Sequence, residues 1–319
     1  MSPRVDIIIP THNGREHLAV CLPALGKQTF QDFRVIVVDD ASTDDSAGYL
    51  AVAFPNVVVV RLERNVGLAV AINEALSHSQ AELVAFLNND TAPEPGWLAA
   101  LVDAMDRYPE AGAAASKLRL FDRRDHLHSA GDTFSVRGVP GNRGVWQRDT
   151  GQFDHEEEVF GACAGAALYR RAALDEAAGI DGQVLDPGFF MYCEDVDLNW
   201  RLRLLGYPVI YVPDAIVYHR LSATGGGTLA SYYVARNTIA VLVKNLPGPL
   251  LRRHLRAIAA YQVSLVLGTL PHLREPAARA RLRGLLAAPG MIPALLPKRR
   301  RIQAARRVPL ARIELLLGR

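Results

Sequence analysis

The feature that most constrains the fold is an alternation of short β-branched runs with helical stretches in the first 90 residues. The apolar runs are VDIIIP, FRVIVVDD, VVVVRL and ELVAFLNND, and helical spacing separates them at residues 19–25, 46–53 and 68–77. Strands that are apolar throughout are buried on both faces, as in a parallel sheet covered by helices. The sequence therefore predicts an α/β fold with a mostly parallel central sheet flanked by helices.

Two of these strands are followed by polar clusters. Asp39 and Asp40 end the second strand, and Asn88, Asn89 and Asp90 follow the fourth. In open α/β sheets, ligands bind beyond the carboxyl ends of the strands. We therefore expect the functional site at this rim of the sheet.

Length and cysteine content restrict the class of protein. The chain of 319 residues is 50% hydrophobic, enough for one large domain with a smaller appendage. Cys21, Cys163 and Cys193 form no CxxC motif, which argues against a disulfide framework or a structural zinc site. The N-terminal apolar run is too short for a signal peptide. These features predict a protein of the reducing cytoplasm.

Charge is divided unevenly along the chain. Residues 244–319 carry 16 Lys and Arg against two Asp and Glu, a net charge of +14, whereas residues 1–243 carry 20 against 31, a net of −11. An acidic body excludes nucleic acid as a partner. A basic, leucine-rich tail suits an anionic lipid surface, and a solvated tail is the alternative. The sequence leaves open whether the chain forms a homo-oligomer.

The C-terminal part, residues 226–319, is predicted to be a basic amphipathic helical region that follows a catalytic domain of residues 1–225. Its apolar stretch at residues 257–270 spans about 14 residues, against roughly 20 needed to cross a bilayer. We therefore expect in-plane helices, with the basic cluster at residues 298–301 facing lipid, and peripheral attachment to the inner face of the cell membrane.

The second half of the catalytic part is less regular. Residues 122–153 predict loops and short strands, residues 199–205 a helix that ends at Gly206, and PVIYVPDAIVYH two short strands around a Pro-Asp turn. The segment SATGGGT, residues 222–228, is predicted to be mobile. Residues 232–243 then predict an amphipathic helix.

The motifs VDIIIPTHNG, VIVVDDASTDDS, RNVGLAVAINEAL and AFLNND occur in this order within the first 90 residues. With them, the chain resembles the family-2 glycosyltransferases of GT-A fold, including bacterial rhamnosyltransferase-like members. The likeness continues through GACAGAALYRRAAL, FFMYCEDVDLNWRLRLLGY and VYH, and covers residues 4–240. It implies an inverting, metal-dependent transfer of a sugar from a UDP- or dTDP-linked donor. The expected acceptor is a glycan or a polyprenyl-linked molecule of cell-envelope polysaccharide synthesis.

The resemblance implies a set of donor-binding residues. Asp39 would accept a hydrogen bond from the imide N–H of uracil or thymine, Asp40 would lie near the ribose, and Thr11 would close over the base. Helix capping is the alternative role for Asp39. Arg236 would hold a phosphate with its planar guanidinium, unless it forms a salt bridge to the body. The other donor-binding residues implied are Asn13, Asn65, Gly67, Asn88 and Asn89.

The resemblance also implies a metal site. Asn88, Asn89 and Asp90 stand where the family has an Asp-x-Asp motif, so Asn88 replaces the first carboxylate and only Asp90 supplies a full charge. Asp90 and His219 would bind Mn²⁺ or Mg²⁺ together with the donor diphosphate. The alternatives are a polar turn for the first three residues and a simple hydrogen bond for the histidine.

The candidate catalytic residues are Glu194 and Asp195, which match the family's Glu-Asp motif. Asp195 would act as the base that removes the acceptor proton, and a solvated first helical turn is the alternative. Asp197 is placed to pair with Arg201 at i+4. Gly161 and Gly165 are the first and last residues of the motif GACAG. They would let the acceptor approach the backbone, or serve only close packing.

Three other classes of protein are alternatives for this sequence. A Rossmann dehydrogenase would carry GxGxxG after the first strand, where this chain has PTHNG. A sugar nucleotidylyltransferase would open with a Gly-rich loop containing Arg and Lys, which is missing. A catalytically inactive nucleotide-sugar-binding protein is motivated by Asn88 in the metal motif.

Overall fold

The computed structural model describes residues 2–221 and 227–318, so most of the segment predicted to be mobile lies outside the described residues. The strands are β1 Val5–Thr11, β2 Phe33–Asp39, β3 Val58–Arg61, β4 Leu83–Leu87, β5 Thr91–Pro93, β6 Ala113–Leu120, β7 Leu127–Ala130, β8 Asp132–Ser135, β9 Pro140–Asn142, β10 Glu157–Glu158, β11 Ala166–Arg170, β12 Val209–His219 and β13 Leu317–Gly318. The helices are α1 Arg15–Leu25, α2 Ser46–Ala53, α3 Leu68–Ser77, α4 Trp97–Arg107, α5 Arg171–Asp181, α6 Glu194–Leu205, α7 Thr228–Asn245, α8 Gly248–Thr269, α9 Pro276–Ala287, α10 Ile292–Ala304 and α11 Leu310–Leu316.

One central sheet organises the described residues. Its strand order is β10-β12-β6-β11-β4-β1-β2-β3, with β5 added to β12 and β7 to β6. The strands β1 to β4 run parallel, and so do β6 and β12, whereas β11 runs antiparallel between β4 and β6. The predicted α/β fold with a mostly parallel sheet and a C-terminal helical extension is confirmed.

Alternating side chains of the strands fill two cores, one on each face of the sheet. Ile8 and Phe86 belong to the core beneath α3, α5 and α6. Ile7 and Leu87 belong to the core beneath α1 and α4. All seven residues of β1 are buried, the polar Asp6 and Thr11 included, as in a strand that is covered on both faces.

The register of the parallel strands aligns their carboxyl ends. Thr11 of β1 lies opposite Asp39 of β2, and the polar residues from Asn88 onward follow β4 on the other side of β1. The polar clusters identified in the sequence therefore share one rim of the sheet, as expected.

Two local predictions need correction. The predicted pair of short strands is one strand, β12, whose pairing with β6 shifts register between Val212 and Ile216. The irregularity accommodates Pro213, which has no N–H to donate to a ladder. Helix α6 begins at Glu194, where the Glu-Asp motif implied a first helical turn, and not at residue 199, where the helical spacing begins. It ends as expected where Gly206 adopts a left-handed φ of 100°.

A buried ion cluster joins α7 to α6, the helix that begins with the candidate catalytic residues Glu194 and Asp195. The Lys244 ammonium lies 2.6, 2.8 and 2.9 Å from carboxylate oxygens of Asp181, Asp186 and Asp197. Asp197 also forms the predicted i+4 pair with Arg201, at 2.9 Å. Burial alone would raise the pKa of Asp197, but Lys244 and Arg201 outweigh it and lower that pKa. The cluster crosses the predicted boundary at residue 226, so α7 packs as part of the catalytic body.

Several tail cations face the acidic body rather than solvent. Lys298 lies 2.7 Å from Asp186, and Arg299 donates a hydrogen bond to the carbonyl of Val243. The expectation that the whole basic cluster at residues 298–301 faces lipid is therefore wrong for its first two residues. Two more ion pairs join the tail to the body, Arg307 with Glu176 and Arg312 with Glu158. Within the described ranges, no helix is both long and apolar enough to span a bilayer.

We predict that Lys244→Met destabilises the protein by about 3–5 kcal/mol, because three carboxylates would lose their shared buried cation. Urea unfolding of the variant and the native chain measures this difference. Lys27→Met, at an exposed lysine, is the matched control and should change the free energy of unfolding by less than about 0.5 kcal/mol. Equal effects of the two substitutions would contradict the structural role of the cluster.

Candidate active site

A cavity of about 700 Å³ opens at the carboxyl rim of the sheet. Its walls come from the ends of β1, β2 and β4, the loop at residues 163–165, the first turn of α6 and the first turns of α7. This volume suits a small ligand such as a nucleotide sugar. The predicted site residues on its wall are Thr11, Asp40, Asn65, Gly67, Asn88, Asn89, Asp90, Gly165, Glu194, Asp195 and His219.

Polar contacts between strand ends shape the donor side of the cavity. The Asn89 amide donates a hydrogen bond to the Thr11 hydroxyl at 2.8 Å. Gly14 allows this contact, because a Cβ atom there would lie 2.2 Å from the Asn89 amide nitrogen. The Asp40 carboxylate accepts the backbone N–H groups of Val66 and Gly67 at 2.8 and 3.0 Å. Asp40 therefore holds the loop that carries Gly67 to the wall.

Asp39 and Asn13 lie behind the cavity wall. Asp39 is fully buried, and its Oδ1 accepts the N–H of Ser42 at 2.8 Å. Among the described residues, its Oδ2 has no hydrogen-bond partner. The Asn13 side chain accepts the backbone N–H of Thr43 at 2.7 Å. Both residues shape the loop after β2, and their contact with a donor base stays a prediction.

Asp90 and His219 face each other at the centre of the rim. Asp90 Oδ1 lies 3.1 Å from His219 Nε2, yet no described group makes an aligned hydrogen bond to that oxygen. Two oxygen or nitrogen ligands at about 2.1 Å from one octahedral cation, at right angles, lie about 3 Å apart. The pair therefore fits a hard divalent cation. The Asn88 side chain shares this wall and can add a neutral oxygen ligand.

His128 is a site residue that the sequence analysis missed. It lies on β7, and its Nδ1 is 2.9 Å from Nδ1 of His219. Burial, with His219 as a second cause, lowers the pKa of His128 to about 3, so its imidazole is neutral at physiological pH. Nothing in the sequence distinguished it, because only the pairing of β6 with β7 and β12 brings the two histidines together.

The turn before α6 is strained. Phe190, Tyr192 and Cys193 have φ values of 65°, 64° and 66°, a region that side chains other than glycine rarely adopt and that costs of order 1–3 kcal/mol each. Glu194 and Asp195 follow at once as the first residues of α6. The strain therefore lies directly beside the candidate catalytic carboxylates.

Asn237 of α7 holds this turn. Its fully buried side-chain amide nitrogen lies 3.0, 2.9 and 2.7 Å from the carbonyl oxygens of Phe189, Met191 and Tyr192. The amide group of Asn237 thus donates hydrogen bonds to backbone carbonyls that have no partner in a helix or a strand.

Arg236 supports the same turn. Its guanidinium donates to the carbonyls of Gly188 and Phe189 at 2.8 and 2.9 Å and to the Asn237 side chain at 2.8 Å. It lies outside the residues that line the cavity. Phosphate binding by Arg236 stays a prediction, and it would compete with these contacts.

The two adjacent carboxylates have different environments. Asp195 accepts the backbone N–H groups of Ala164 and Val196 at 3.2 and 2.8 Å. Burial raises its pKa, and these two hydrogen bonds oppose that shift by stabilising the anion. In contrast, Glu194 Oε2 has no partner in the described chain, and burial together with Asp195 raises the pKa of Glu194 to about 8. Two backbone N–H groups stabilise the Asp195 anion, whereas no described group bonds Glu194 Oε2, so the geometry favours Asp195 as the base.

Asp132 is a second residue that the sequence analysis missed. One ligand atom each from Asp132, Cys163 and Asp195 lie within 4.8 Å of one another at the cavity wall. Burial, followed by the charge of Asp195, raises the pKa of Asp132 well above its usual value. Burial also raises the pKa of the Cys163 thiol. Asp132 and Cys163 therefore add a buried carboxyl group and a thiol beside Asp195 on the cavity wall.

The two glycines of the GACAG loop have different surroundings. A Cβ atom on Gly161 would lie 2.3 Å from the side-chain nitrogen of Asn199, which exchanges hydrogen bonds with the backbone of Ala162. Gly161 therefore serves packing against α6, and it is absent from the residues that line the cavity. Gly165 does line the cavity, and a Cβ there would be 3.4 Å from both Asn88 and His219.

Comparison with known proteins agrees with the geometry. Residues 6–177, more than half of the chain, match the family described as Glycosyl transferase family 2. The N-acetylglucosaminyl-diphospho-decaprenol L-rhamnosyltransferase of Mycobacterium tuberculosis is 28% identical over 258 residues, which cover 74% of this chain and 82% of that protein.

Two solved structures share the fold. Residues 1–349 of S. aureus TarS are 18% identical with a TM-score of 0.60, and the match covers 95% of this chain and 90% of that one. The mannosyltransferase PcManGT from Pyrobaculum calidifontis, solved with GDP-Man and Mn²⁺, is 20% identical with a TM-score of 0.54. That match covers 99% of this chain and 88% of the mannosyltransferase. At these identities the likeness shows the fold alone, and it is the GT-A arrangement expected from the sequence.

We predict that Asn237→Ala loosens the strained turn, because the carbonyls of Met191 and Tyr192 lose their donor at a cost of about 1–3 kcal/mol. Amide hydrogen exchange in residues 189–196 should become roughly tenfold faster or more. Gln28→Ala is the matched control, since Gln28 is also a buried amide that bonds two backbone groups, those of Glu94 and Leu98. Unchanged exchange at the turn in Asn237→Ala would show that the turn does not depend on this side chain.

Proposed function

The chain belongs to glycosyltransferase family 2, and we propose that it is an inverting enzyme that transfers a sugar from a UDP- or dTDP-linked donor to a hydroxyl of a lipid-linked glycan acceptor. One observation carries the proposal. Asp195, whose carboxylate accepts two backbone N–H groups, lines the same cavity as Asp90 and His219. A base for the acceptor and a site for the donor diphosphate therefore share one cavity.

The donor side depends on charge. Asp90 and His219 would hold Mn²⁺ or Mg²⁺, which neutralises the negative charge that develops on the departing diphosphate. The Mn²⁺ in the Pyrobaculum mannosyltransferase supports this assignment. With Asp90 and His219 as the cation ligands, Asn88 need not be charged, so its presence in the metal motif is compatible with activity.

The acceptor side requires one proton transfer. Asp195 takes the proton of the acceptor hydroxyl as its oxygen forms the new bond to the anomeric carbon. The bond from that carbon to the diphosphate oxygen breaks on the opposite side, and its electron pair leaves with the nucleotide diphosphate. Glu194 keeps its proton at neutral pH and does not compete as the base. A single carboxylate with attack from behind the leaving group inverts the anomeric configuration.

We predict that Asp195→Asn lowers the rate of transfer about 10²–10⁴-fold, because the base is lost, and leaves the Kd of the nucleotide sugar within about twofold. Transfer is measured to an N-acetylglucosaminyl-diphospho-polyprenol, the acceptor class in the name of the mycobacterial relative. Donor binding is measured by calorimetry.

Glu194→Gln is the matched control for this test, since Gln resembles the protonated acid that Glu194 already is. It should retain far more activity than Asp195→Asn at neutral pH. The opposite order of the two variants would move the base to Glu194.

We also propose that one face of α8 rests on anionic lipid. Arg252 and Arg256 begin this face and are exposed without a carboxylate partner among the described residues. Val263, Leu267 and Leu270 continue it and are 57%, 59% and 45% exposed. These positions are spaced by three, four or seven residues, which returns to one side of a helix, so cations lead into an apolar stripe. An anionic bilayer surface complements both halves of that face and would present a lipid-linked acceptor.

We predict that the protein sediments with vesicles that contain phosphatidylglycerol and binds weakly to vesicles of phosphatidylcholine alone. About 0.5 M salt should release much of the bound protein, because salt shortens the electrostatic screening length. Replacing both Arg252 and Arg256 by Ala should weaken binding about tenfold or more, at about 1 kcal/mol per arginine. The double substitution of Lys27 and Arg64 by Ala removes the same charge from the acidic body and should have little effect. Equal losses in the two double variants, or no preference for anionic vesicles, would exclude this face.

A further inference from the structure

A buried hydrogen bond joins His219 of the candidate cation site to a second histidine, His128. His128 and His219 are 6% and 7% exposed, and their rings lie 4.8 Å apart between centroids. Their Nδ1 atoms are 2.9 Å apart, which is hydrogen-bond distance. At this distance one Nδ1 must carry a hydrogen and donate the hydrogen bond, and the other Nδ1 must accept it with its lone pair.

Because each neutral imidazole carries a single N–H, the proton positions of the two rings are linked. If His219 holds its proton on Nδ1, it donates to His128, and its Nε2 is left with a free lone pair. If His219 instead holds the proton on Nε2, that atom faces the Asp90 carboxylate at 3.1 Å. The second state suits the pair without a cation, and the first suits coordination.

We propose that His128 is a positioning residue that accepts the Nδ1–H of His219 and so stabilises the tautomer whose Nε2 can bind the divalent cation. The inference rests on the proposed function, which assigns Asp90 and His219 as cation ligands. Outer hydrogen bonds of this kind fix the ring orientation and the tautomer of a ligating histidine.

No other described group accepts a hydrogen bond from His219 Nδ1. Without His128, the Nδ1–H tautomer would leave a buried N–H unpaired, so His219 would favour the Nε2–H state that blocks coordination. Loss of such an outer partner typically weakens metal affinity 10–100-fold. His128 should therefore affect the cation affinity without touching the cation.

The test is Mn²⁺ binding to the full chain, measured by electron paramagnetic resonance in the presence of UDP or dTDP. We expect His128→Leu to weaken Mn²⁺ binding about 10–100-fold. His128→Asn keeps an acceptor oxygen near the Nδ1 position, and we expect it to restore affinity to within about threefold of the native chain. His155→Leu, at an exposed histidine, is the matched control and should bind as the native chain does.

The tautomer can be observed directly. In the protein with ¹⁵N-labelled histidine, loaded with diamagnetic Mg²⁺ and nucleotide, His219 should carry its proton on Nδ1, and His128→Leu should lose that signal pattern. Native Mn²⁺ affinity in His128→Leu, with affinity lost in Asp90→Ala, would overturn the role of His128 and leave the cation site intact. Native affinity in Asp90→Ala, or no Mn²⁺ binding by the native chain, would refute the cation assignment itself and the inference with it.

Discussion

The candidate site depends on one buried amide. Asn237 bonds the carbonyls of a turn in which three residues other than glycine take left-handed backbone angles. That turn determines where α6 begins, and the first two residues of α6 are the candidate catalytic carboxylates. Such a conformation persists only where the surroundings compensate its cost. Lys244 adds a second attachment, because it holds Asp197 one turn further along the same helix.

Helix α7 therefore contributes to the candidate site in two ways. Its buried side positions the catalytic turn, and its first turns contribute to the cavity wall. The helices that follow pair basic side chains with the acidic body, and α8 leaves a face with arginines and apolar residues exposed. The opposite net charges of the two parts thus stabilise their contact first, and only part of the tail charge is available to a lipid surface.

The sequence was sufficient wherever the signal was local. Apolar runs predicted the parallel strands, and polar residues at their ends predicted the rim. The spacing of Asp197 and Arg201 predicted their ion pair. It was not sufficient for His128 and Asp132, which join the site only through strand pairing between distant segments. The charge count also led to the expectation that Lys298 faces lipid, because a count does not show that folding brings Asp186 next to Lys298.

We propose that transfer in this cavity is a single displacement with Asp195 as the base. The most direct measurement is the anomeric configuration of the first product, followed by proton NMR during transfer from a nucleotide sugar of known configuration. A single displacement gives a product with the configuration opposite to that of the donor, and no covalent sugar–enzyme intermediate. A product that retains the donor configuration would contradict it.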